Sequence, residues 1–127
     1  MPYRFKKHFT REEACALLPQ IRLWFTRILQ LRGELEKCER RLEGVRSLGA
    51  DLGGDTVNQW VHMMAEINSV FLEFHRREIQ IKDLDRGLVD FPAIVAGREV
   101  FLCWEKDEDA VEFWHDIDSG YAGRERL

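Results

Sequence analysis

The first half of the chain carries an unbroken apolar repeat with spacings of three and four residues. Charged residues separate its members, which are Ile21, Trp24, Ile28, Leu31, Leu35, Cys38, Leu42 and Val45. Side chains three and four apart lie on one side of an α-helix, so the pattern predicts a helix that continues to about residue 47. The spacing is that of a heptad seam, and such a helix needs an apolar partner along its length.

The start of this helix is marked by Thr10 and Glu13, which have the spacing of a capping box. Pro19 lacks an amide hydrogen and crowds the turn before it. Residues 11–18 can therefore form a separate short helix, with Pro19 in the first turn of the longer one.

A glycine-rich segment then predicts that the chain reverses direction. The segment is rich in glycine and aspartate, and its loop residues are Gly49, Asp51, Gly53 and Gly54. Asp55 or Thr56 can then cap a second helix. The helical spacing returns in Val57, Trp60, Met64, Ile67, Phe71 and Phe74. We predict that this second helix covers about residues 56–81, antiparallel to the first.

The apolar period changes after the segment KDLDRG, in which Gly87 suits a left-handed turn. The runs LVDFPAIV and EVFLCW are rich in branched and aromatic residues, and Gly97 with Arg98 between them suits a two-residue turn. These runs predict a β-hairpin whose first strand lies at an edge or is bulged at Pro92. The segment AVEFWHDI can supply a third strand.

The predicted fold class is therefore α+β. A long antiparallel, coiled-coil-like helical hairpin is followed by a short antiparallel β-hairpin or three-stranded meander. The length of 127 residues predicts one domain over residues 1–127, with the helical hairpin at about 11–81 and the β-meander and C-terminal tail at about 88–127.

Composition and charge exclude several classes of partner. Residues 1–50 hold 11 Lys/Arg and 6 Asp/Glu, a net +5, whereas residues 51–127 hold 8 and 17, a net −9. This self-neutralising balance argues against nucleic acid as a partner. No apolar run reaches the length of a membrane span, and the start MPYRFKKHF lacks the apolar segment of a secretory signal. We expect a cytoplasmic protein with no membrane partner.

Two features predict self-association. The heptad seam needs a partner, and the two central strands are apolar on both faces, so the outer face of the sheet needs cover. A second copy of the chain is the simplest cover, which predicts a homo-oligomer, most simply a dimer. Three cysteines at wide spacing, Cys15, Cys38 and Cys103, are expected to be reduced and packed rather than paired or metal-bound.

The C-terminal segment VEFWHDIDSGYAGRERL holds the candidates for chemistry. Glu112 and His115 have the spacing of the Glu-x-x-His pairs that bind iron or manganese on helices. On a strand the same residues point to opposite faces, and His115 is then a core histidine whose ring bonds a carboxylate or carbonyl. No metal is favoured, although a divalent ion through Glu112 and His115 is possible.

His115 can also form an acid–base pair with Asp118 or Asp90, the carboxylate fixing the imidazole tautomer. The sequence offers no activated nucleophile nearby, so a structural hydrogen bond is the favoured interpretation and an enzyme is not.

A possible ligand-binding set is drawn from the same region. Gly120 and Gly123 can expose backbone amides to an anion beside Arg124. The interpretation we favour is that the glycines permit turns and that Arg124 pairs with an acidic residue. The remaining candidates for ligand contact are Arg98, Trp104 and Trp114.

Three motifs carry a family resemblance: ACALLPQIR, DRGLVDFPAIVAGREVFLCW and FWHDIDSGYAGR. In this order, after a charged helical hairpin, they resemble the uncharacterised prokaryotic proteins grouped as domain of unknown function family 2203. The resemblance spans nearly the whole chain and implies no established activity, cofactor or catalytic residue. The positions that resemble the family's motifs are Asp90, Phe91, Pro92, Gly97, Arg98, Cys103, Trp104, Trp114, His115, Asp118, Gly120, Gly123 and Arg124.

Function itself stays unknown from the sequence. The leading hypothesis is a small self-associating cytoplasmic protein with a structural or interaction role and an unknown protein partner. The alternative is a metal-dependent or acid–base enzyme with a site around His115, Asp118, Asp90 and Arg124.

Overall fold

The computed structural model describes residues 2–47 and 54–127. Two helices come first, α1 (Arg11–Ser47) and α2 (Gly54–Arg76). Five strands come after them: β1 (Gln80–Asp83), β2 (Leu88–Val95), β3 (Arg98–Glu105), β4 (Phe113–Asp116) and β5 (Glu125–Arg126). The strands form one antiparallel sheet in chain order, with a short 3-10 helix at Tyr121–Gly123 before β5. The α+β class is confirmed, but the sheet has five strands rather than the predicted two or three.

The described residues fall into two compact units. One contains the chain up to Phe25 together with Glu73–Leu127, and the other is Thr26–Leu72. In the second unit Arg27 pairs with Glu66, and the Cys38 thiol lies 3.4 Å from the carbonyl oxygen of Thr56, so α1 and α2 run in opposite directions there. Within the described chain neither helix has the apolar length that a membrane crossing requires. The single domain over residues 1–127 stays a prediction.

The start of α1 is a capping box, as the sequence predicts. The Glu13 amide donates to the Thr10 hydroxyl, and the Thr10 amide donates to the Glu13 carboxylate, each at 3.0 Å. The helix is continuous through Pro19, so the separate short helix over residues 11–18 does not form. Leu18 and Ile21 are both buried, and their packing on either side of Pro19 favours one helix despite the missing backbone hydrogen bond.

The predicted end of α2 was wrong by five residues. Glu78 has a left-handed φ of 60°, and its amide donates to the His75 carbonyl, which ends the helix at Arg76. The segment assigned to the end of this helix forms β1 instead, paired with β2. No glycine or proline marks this boundary, so the sequence carries no local signal for it. The predicted glycine-rich loop lies outside the described residues, apart from Gly54, which begins α2.

The β2–β3 hairpin is confirmed, with its turn one residue earlier than predicted. Ala96 and Gly97 occupy the turn with φ of 52° and 78°, and Arg98 is the first residue of β3. Two left-handed residues give the turn whose twist matches that of paired strands. β2 is an inner strand, contrary to the edge position expected from Pro92, and the irregularity lies in β1. The pairing of β1 with β2 does not extend to Pro92. There the Phe9 amide donates to the Pro92 carbonyl at 2.7 Å instead.

The two faces of the sheet are covered differently. On one face Phe91 packs against Phe9, and Arg22 of α1 lies over the ring of Trp104. On the other face Phe5 packs against Phe101 with ring centroids 5.4 Å apart, and the C-terminal segment contributes Arg124. The chain's own termini thus cover the face for which a second copy was invoked. That argument for a dimer was wrong, and the dimer itself stays a prediction.

Two carboxylates hold the N-terminal arm, residues 4–8, in place. Glu99 accepts hydrogen bonds from the amides of Arg4 and Phe5 and lies 2.7 Å from the His8 ring. Glu78 accepts from the amides of residues 6 and 7, both at 2.9 Å. Burial raises the pKa of Glu99, but the bonds from His8 and the two amides outweigh it and hold the pKa below its ordinary value.

We expect Gly87→Ala to destabilise the fold more than Gly97→Ala. Both glycines have positive φ, but a Cβ at Gly87 would lie 2.7 Å from the Lys106 Cβ, whereas one at Gly97 meets open space. Urea denaturation should show losses of about 2–3 kcal/mol and about 1 kcal/mol respectively. Equal losses at the two positions would contradict the close approach at Gly87.

Glu99→Gln should remove part of the acid sensitivity of the protein. The folded-state pKa of Glu99 lies below its unfolded value, so its stabilisation is complete above the unfolded pKa and is lost as pH falls through the folded pKa. Thermal unfolding at neutral pH and at about pH 3 should show a variant that is weaker at neutral pH and loses less on acidification. Glu125→Gln, at an exposed position of β5, is the control and should keep the parent profile.

Candidate functional site

Asp90, Cys103 and His115 come from three adjacent strands and meet on one face of the sheet. Asp90 on β2 is directly opposite Cys103 on β3, and His115 on β4 is opposite Phe101, two residues before Cys103. Opposed residues and residues two apart share a face of a sheet, so the three side chains converge. All three are buried, and their potential ligand atoms lie within 4.8 Å of one another.

The His115 ring is fixed by a hydrogen bond at each nitrogen. Nδ1 lies 2.7 Å from the carbonyl oxygen of Asp116, and Nε2 lies 3.0 Å from Oδ1 of Asp90. A carbonyl oxygen only accepts, so Nδ1 carries a hydrogen. In the neutral ring the Nε2 lone pair therefore faces the Asp90 carboxyl, and a proton or a metal ion between them satisfies both atoms.

The surroundings of the cluster disfavour isolated charge. Burial raises the pKa of Asp90, and the proximity of His115 opposes this rise without cancelling it. Burial, together with the neighbouring Asp90 carboxylate, raises the pKa of the Cys103 thiol to about 12. Without an added cation, Cys103 is a protonated thiol at neutral pH and a poor nucleophile.

Arg124 closes one side of the cluster. Its guanidinium makes two bonds to the Glu108 carboxylate, at 3.1 and 2.6 Å, and lies 3.9 Å from the Cys103 Sγ. It also stacks on the rings of Phe113 and Tyr121, with 3.9 and 4.2 Å to the centroids. The prediction that Arg124 ties the tail to an acidic residue agrees with this geometry, and the tail reaches the buried thiol as well.

A cavity of about 190 Å³ opens onto the three residues. Its other walls come from β1, β2, β3 and the segment after β4. They are formed by Lys82, Leu88, Phe101, Ile117, Ser119, Gly120 and Tyr121. A small molecule in this cavity would meet Asp90, Cys103 and His115 directly.

The three side chains suit a transition metal. Nitrogen, sulfur and carboxylate oxygen are the ligand types that Zn²⁺ takes, and three protein ligands leave one tetrahedral position for water or substrate. A metal-bound histidine usually donates its other ring N–H to a carbonyl or carboxylate, and Nδ1 of His115 donates to a backbone carbonyl in this way. This arrangement leaves Nε2 to face an ion.

The structure brings together only some of the candidates predicted from sequence. Asp90 is the carboxylate partner of His115, whereas Asp118 is exposed and pairs with Arg4 at 3.2 Å. Glu112 pairs with Arg126 at 3.4 Å, apart from His115, and residues 113–116 are a strand, so the helical spacing of a Glu-x-x-His pair does not arise.

The ligand-contact candidates are also dispersed. Arg98 pairs with Asp116 at 3.0 Å, and Trp104 is buried with its indole N–H donating to the Glu108 carbonyl. Trp114 is opposite Leu102 and so lies on the face away from the cluster. Gly120 lines the cavity, while Gly123 packs close to Ser119 at the 3-10 helix.

Cys103 was missed as a site residue. The signal was an aspartate inside the apolar run LVDFPAIV and a cysteine inside EVFLCW, two runs already predicted to pair. Counting back from the turn places Asp90 opposite Cys103 once the turn residues are known to be Ala96 and Gly97. The predicted turn at Gly97 and Arg98 shifts that register and hides the pair.

Comparison with known proteins gives one match. No curated protein and no solved structure matches the chain significantly. The model of a family described as "Uncharacterized conserved protein (DUF2203)" matches residues 7–127, in agreement with the resemblance of the three motifs. The chain therefore belongs to the DUF2203 family of uncharacterized conserved proteins.

Proposed function

We propose that this protein binds one zinc-class divalent metal ion through Asp90, Cys103 and His115, and that the ion acts on a small molecule in the adjoining cavity. The observation that carries the proposal is the convergence of three buried ligand atoms within 4.8 Å at the wall of a cavity. A buried aspartate and a buried histidine are costly to retain in an apolar sheet, and a bound cation compensates that cost.

This ligand set differs from the Glu112–His115 pair considered from sequence. A thiolate and an imidazole favour zinc or another late transition metal over magnesium or calcium, which prefer oxygen ligands. Three protein ligands would leave room on the ion for water or a substrate, which favours a catalytic or ligand-binding role, because structural zinc sites usually have four protein ligands.

The chemistry available to such a site is that of a Lewis acid. A bound zinc ion lowers the pKa of a coordinated water and polarises a substrate carbonyl or phosphoryl oxygen. Asp90, Cys103 and His115 would hold the ion, the bond to the Asp116 carbonyl would orient the His115 ring, and the cavity walls would limit the space beside the ion. A metal-dependent enzyme is therefore the function that the geometry supports best.

Metal content tests the proposal directly. Protein expressed without a histidine tag and purified without a chelator should contain close to one equivalent of zinc by plasma mass spectrometry. Cys103→Ser, His115→Gln and Asp90→Asn should each lose most of it, since each removes one of three ligands. Cys15→Ser and Asp118→Asn are the matched controls, a cysteine and an aspartate outside the cluster, and should retain the metal.

Thermal denaturation separates a metal site from a packed core cluster. Saturating zinc at about 100 times the Kd should stabilise the parent by about 2.7 kcal/mol, and a chelator should remove that gain. The three ligand variants should not respond to zinc. A parent protein that neither retains nor responds to zinc, cobalt or manganese would refute the proposal and leave a hydrogen-bonded core cluster.

We also infer a reducing location, the cytoplasm. Cys103 must stay reduced to ligate a metal, and the structure has three free cysteines at Cys15, Cys38 and Cys103. Fluorescence microscopy of the tagged protein in its native cell tests this inference, and an extracytoplasmic signal would contradict it.

A second proposal concerns self-association. We propose that two copies associate through their helices in a coiled-coil-like manner. Large apolar side chains remain exposed on α1 and α2: Leu23 is 64% exposed, Val61 50% and Leu72 45%. Association of two copies would remove this apolar surface from water, which is favourable.

Light scattering during size exclusion should give the mass of a dimer at micromolar concentration. Val61→Glu should shift the protein toward monomer because it places a charge in the contact. Gln59→Glu, two residues earlier and therefore on the opposite side of α2 but also exposed, adds the same charge and should leave the mass unchanged. A monomeric parent would exclude association at this concentration.

A further inference from the structure

We propose that the metal site takes a short-chain carboxylate as its exogenous ligand and that Lys82 holds the carboxylate. This inference rests on the proposed metal site. It adds the chemical class of the small molecule, which neither the family match nor the ligand geometry specifies.

The charge around the cavity indicates a monoanion. A divalent ion bound to the carboxylate of Asp90 and the thiolate of Cys103 forms a neutral centre. The neighbouring cations Arg86 and Arg124 are paired with Glu105 and Glu108 and so add no net charge. Among the residues that line the cavity, all of which the structure describes, Lys82 carries the one charge that the metal centre does not neutralise, so the lining has a net charge of about +1.

The position of Lys82 fits a role in binding. It lies on β1 beside the β2 segment that carries Asp90, and its side chain lines the cavity. Its ammonium lies over the ring of Phe101 at 5.4 Å and makes no ion pair with any residue in the described ranges. Lys82 is therefore available to an anion placed between it and the metal.

The size and lining of the cavity limit the rest of the ligand. A volume of about 190 Å³ equals roughly six water molecules at about 30 Å³ each, which suits a molecule of about four to six non-hydrogen atoms. Leu88, Phe101 and Ile117 supply apolar walls. The hydroxyl of Ser119 already donates to the Asp116 carbonyl, and that of Tyr121 interacts with Glu105.

These features indicate where each end of the ligand would bind. One anionic head lies between the metal and Lys82, and a short apolar tail lies along the walls. Propionate and butyrate have this form. Larger anions exceed the space, and more highly charged anions exceed the charge of Lys82, the cavity-lining cation that forms no ion pair with the described residues.

Cobalt(II)-loaded protein provides the test, because the thiolate-to-cobalt charge-transfer band reports the metal site and the ligand-field bands report exogenous ligands. We expect acetate, propionate and butyrate to perturb the ligand-field bands saturably. Affinity should rise about two- to fourfold with each methylene as more apolar surface is buried. Octanoate should bind more weakly than butyrate because its tail exceeds the cavity.

Matched controls separate recognition of the charge from entry into the cavity. Lys82→Met should keep the charge-transfer band and weaken butyrate binding about tenfold, while Lys6→Met, an exposed lysine elsewhere on the chain, should leave binding unchanged. Butyramide has the shape of butyrate without its charge and should bind at least tenfold more weakly.

The outcomes distinguish this inference from the proposed function. Absence of the charge-transfer band would overturn both, since no metal site exists. A normal band with ligand-field bands that do not respond to carboxylates would overturn the carboxylate proposal alone. Equal binding of butyramide, or unchanged butyrate binding by Lys82→Met, would overturn the assignment of charge and of Lys82.

Discussion

The antiparallel ladder between β2 and β3 is the constraint on which the rest of the structure depends. Eight residue pairs run from Leu88 opposite Glu105 to Val95 opposite Arg98, and the turn at Ala96 and Gly97 sets their register. A slip of one residue would exchange the two faces of the moving strand. It would move Asp90 away from Cys103 and His115 and leave a buried carboxyl without those partners. The register thus determines both the core and the candidate site.

Much of the α part could be predicted because its signals are local. The apolar repeat and the pair Thr10 and Glu13 fix α1 within a few residues. The failures occurred where tertiary packing overrides a local rule. Pro19 lies inside a helix that buried neighbours hold together, and Glu78 ends α2 in a conformation that its residue type does not indicate. β5 is a polar strand of two residues, too short to carry any pattern.

The site could be predicted only in part for a related reason. His115 and Asp90 could be predicted as site candidates because they are polar residues within apolar segments, and both are in the cluster. Asp118 is closer to His115 in sequence than Asp90 is, but it lies beyond the end of β4 and points to Arg4. Cys103 depends on the pairing of strands, which a one-residue error in the turn conceals. A site assembled from three strands is visible only after the register is known.

Glu78 shows how one residue connects three segments at a conformational cost. Its left-handed backbone joins the end of α2 to β1, and its side chain accepts the amides of two residues of the N-terminal arm. Glycine would relieve the backbone strain but would release the arm, and most other residues without a carboxylate would keep the strain and also lose the anchor. Relief of the backbone strain therefore conflicts with attachment of the arm at this position. Substitutions that optimise the helix terminus by itself would loosen the cover over the face that carries the metal-binding candidates.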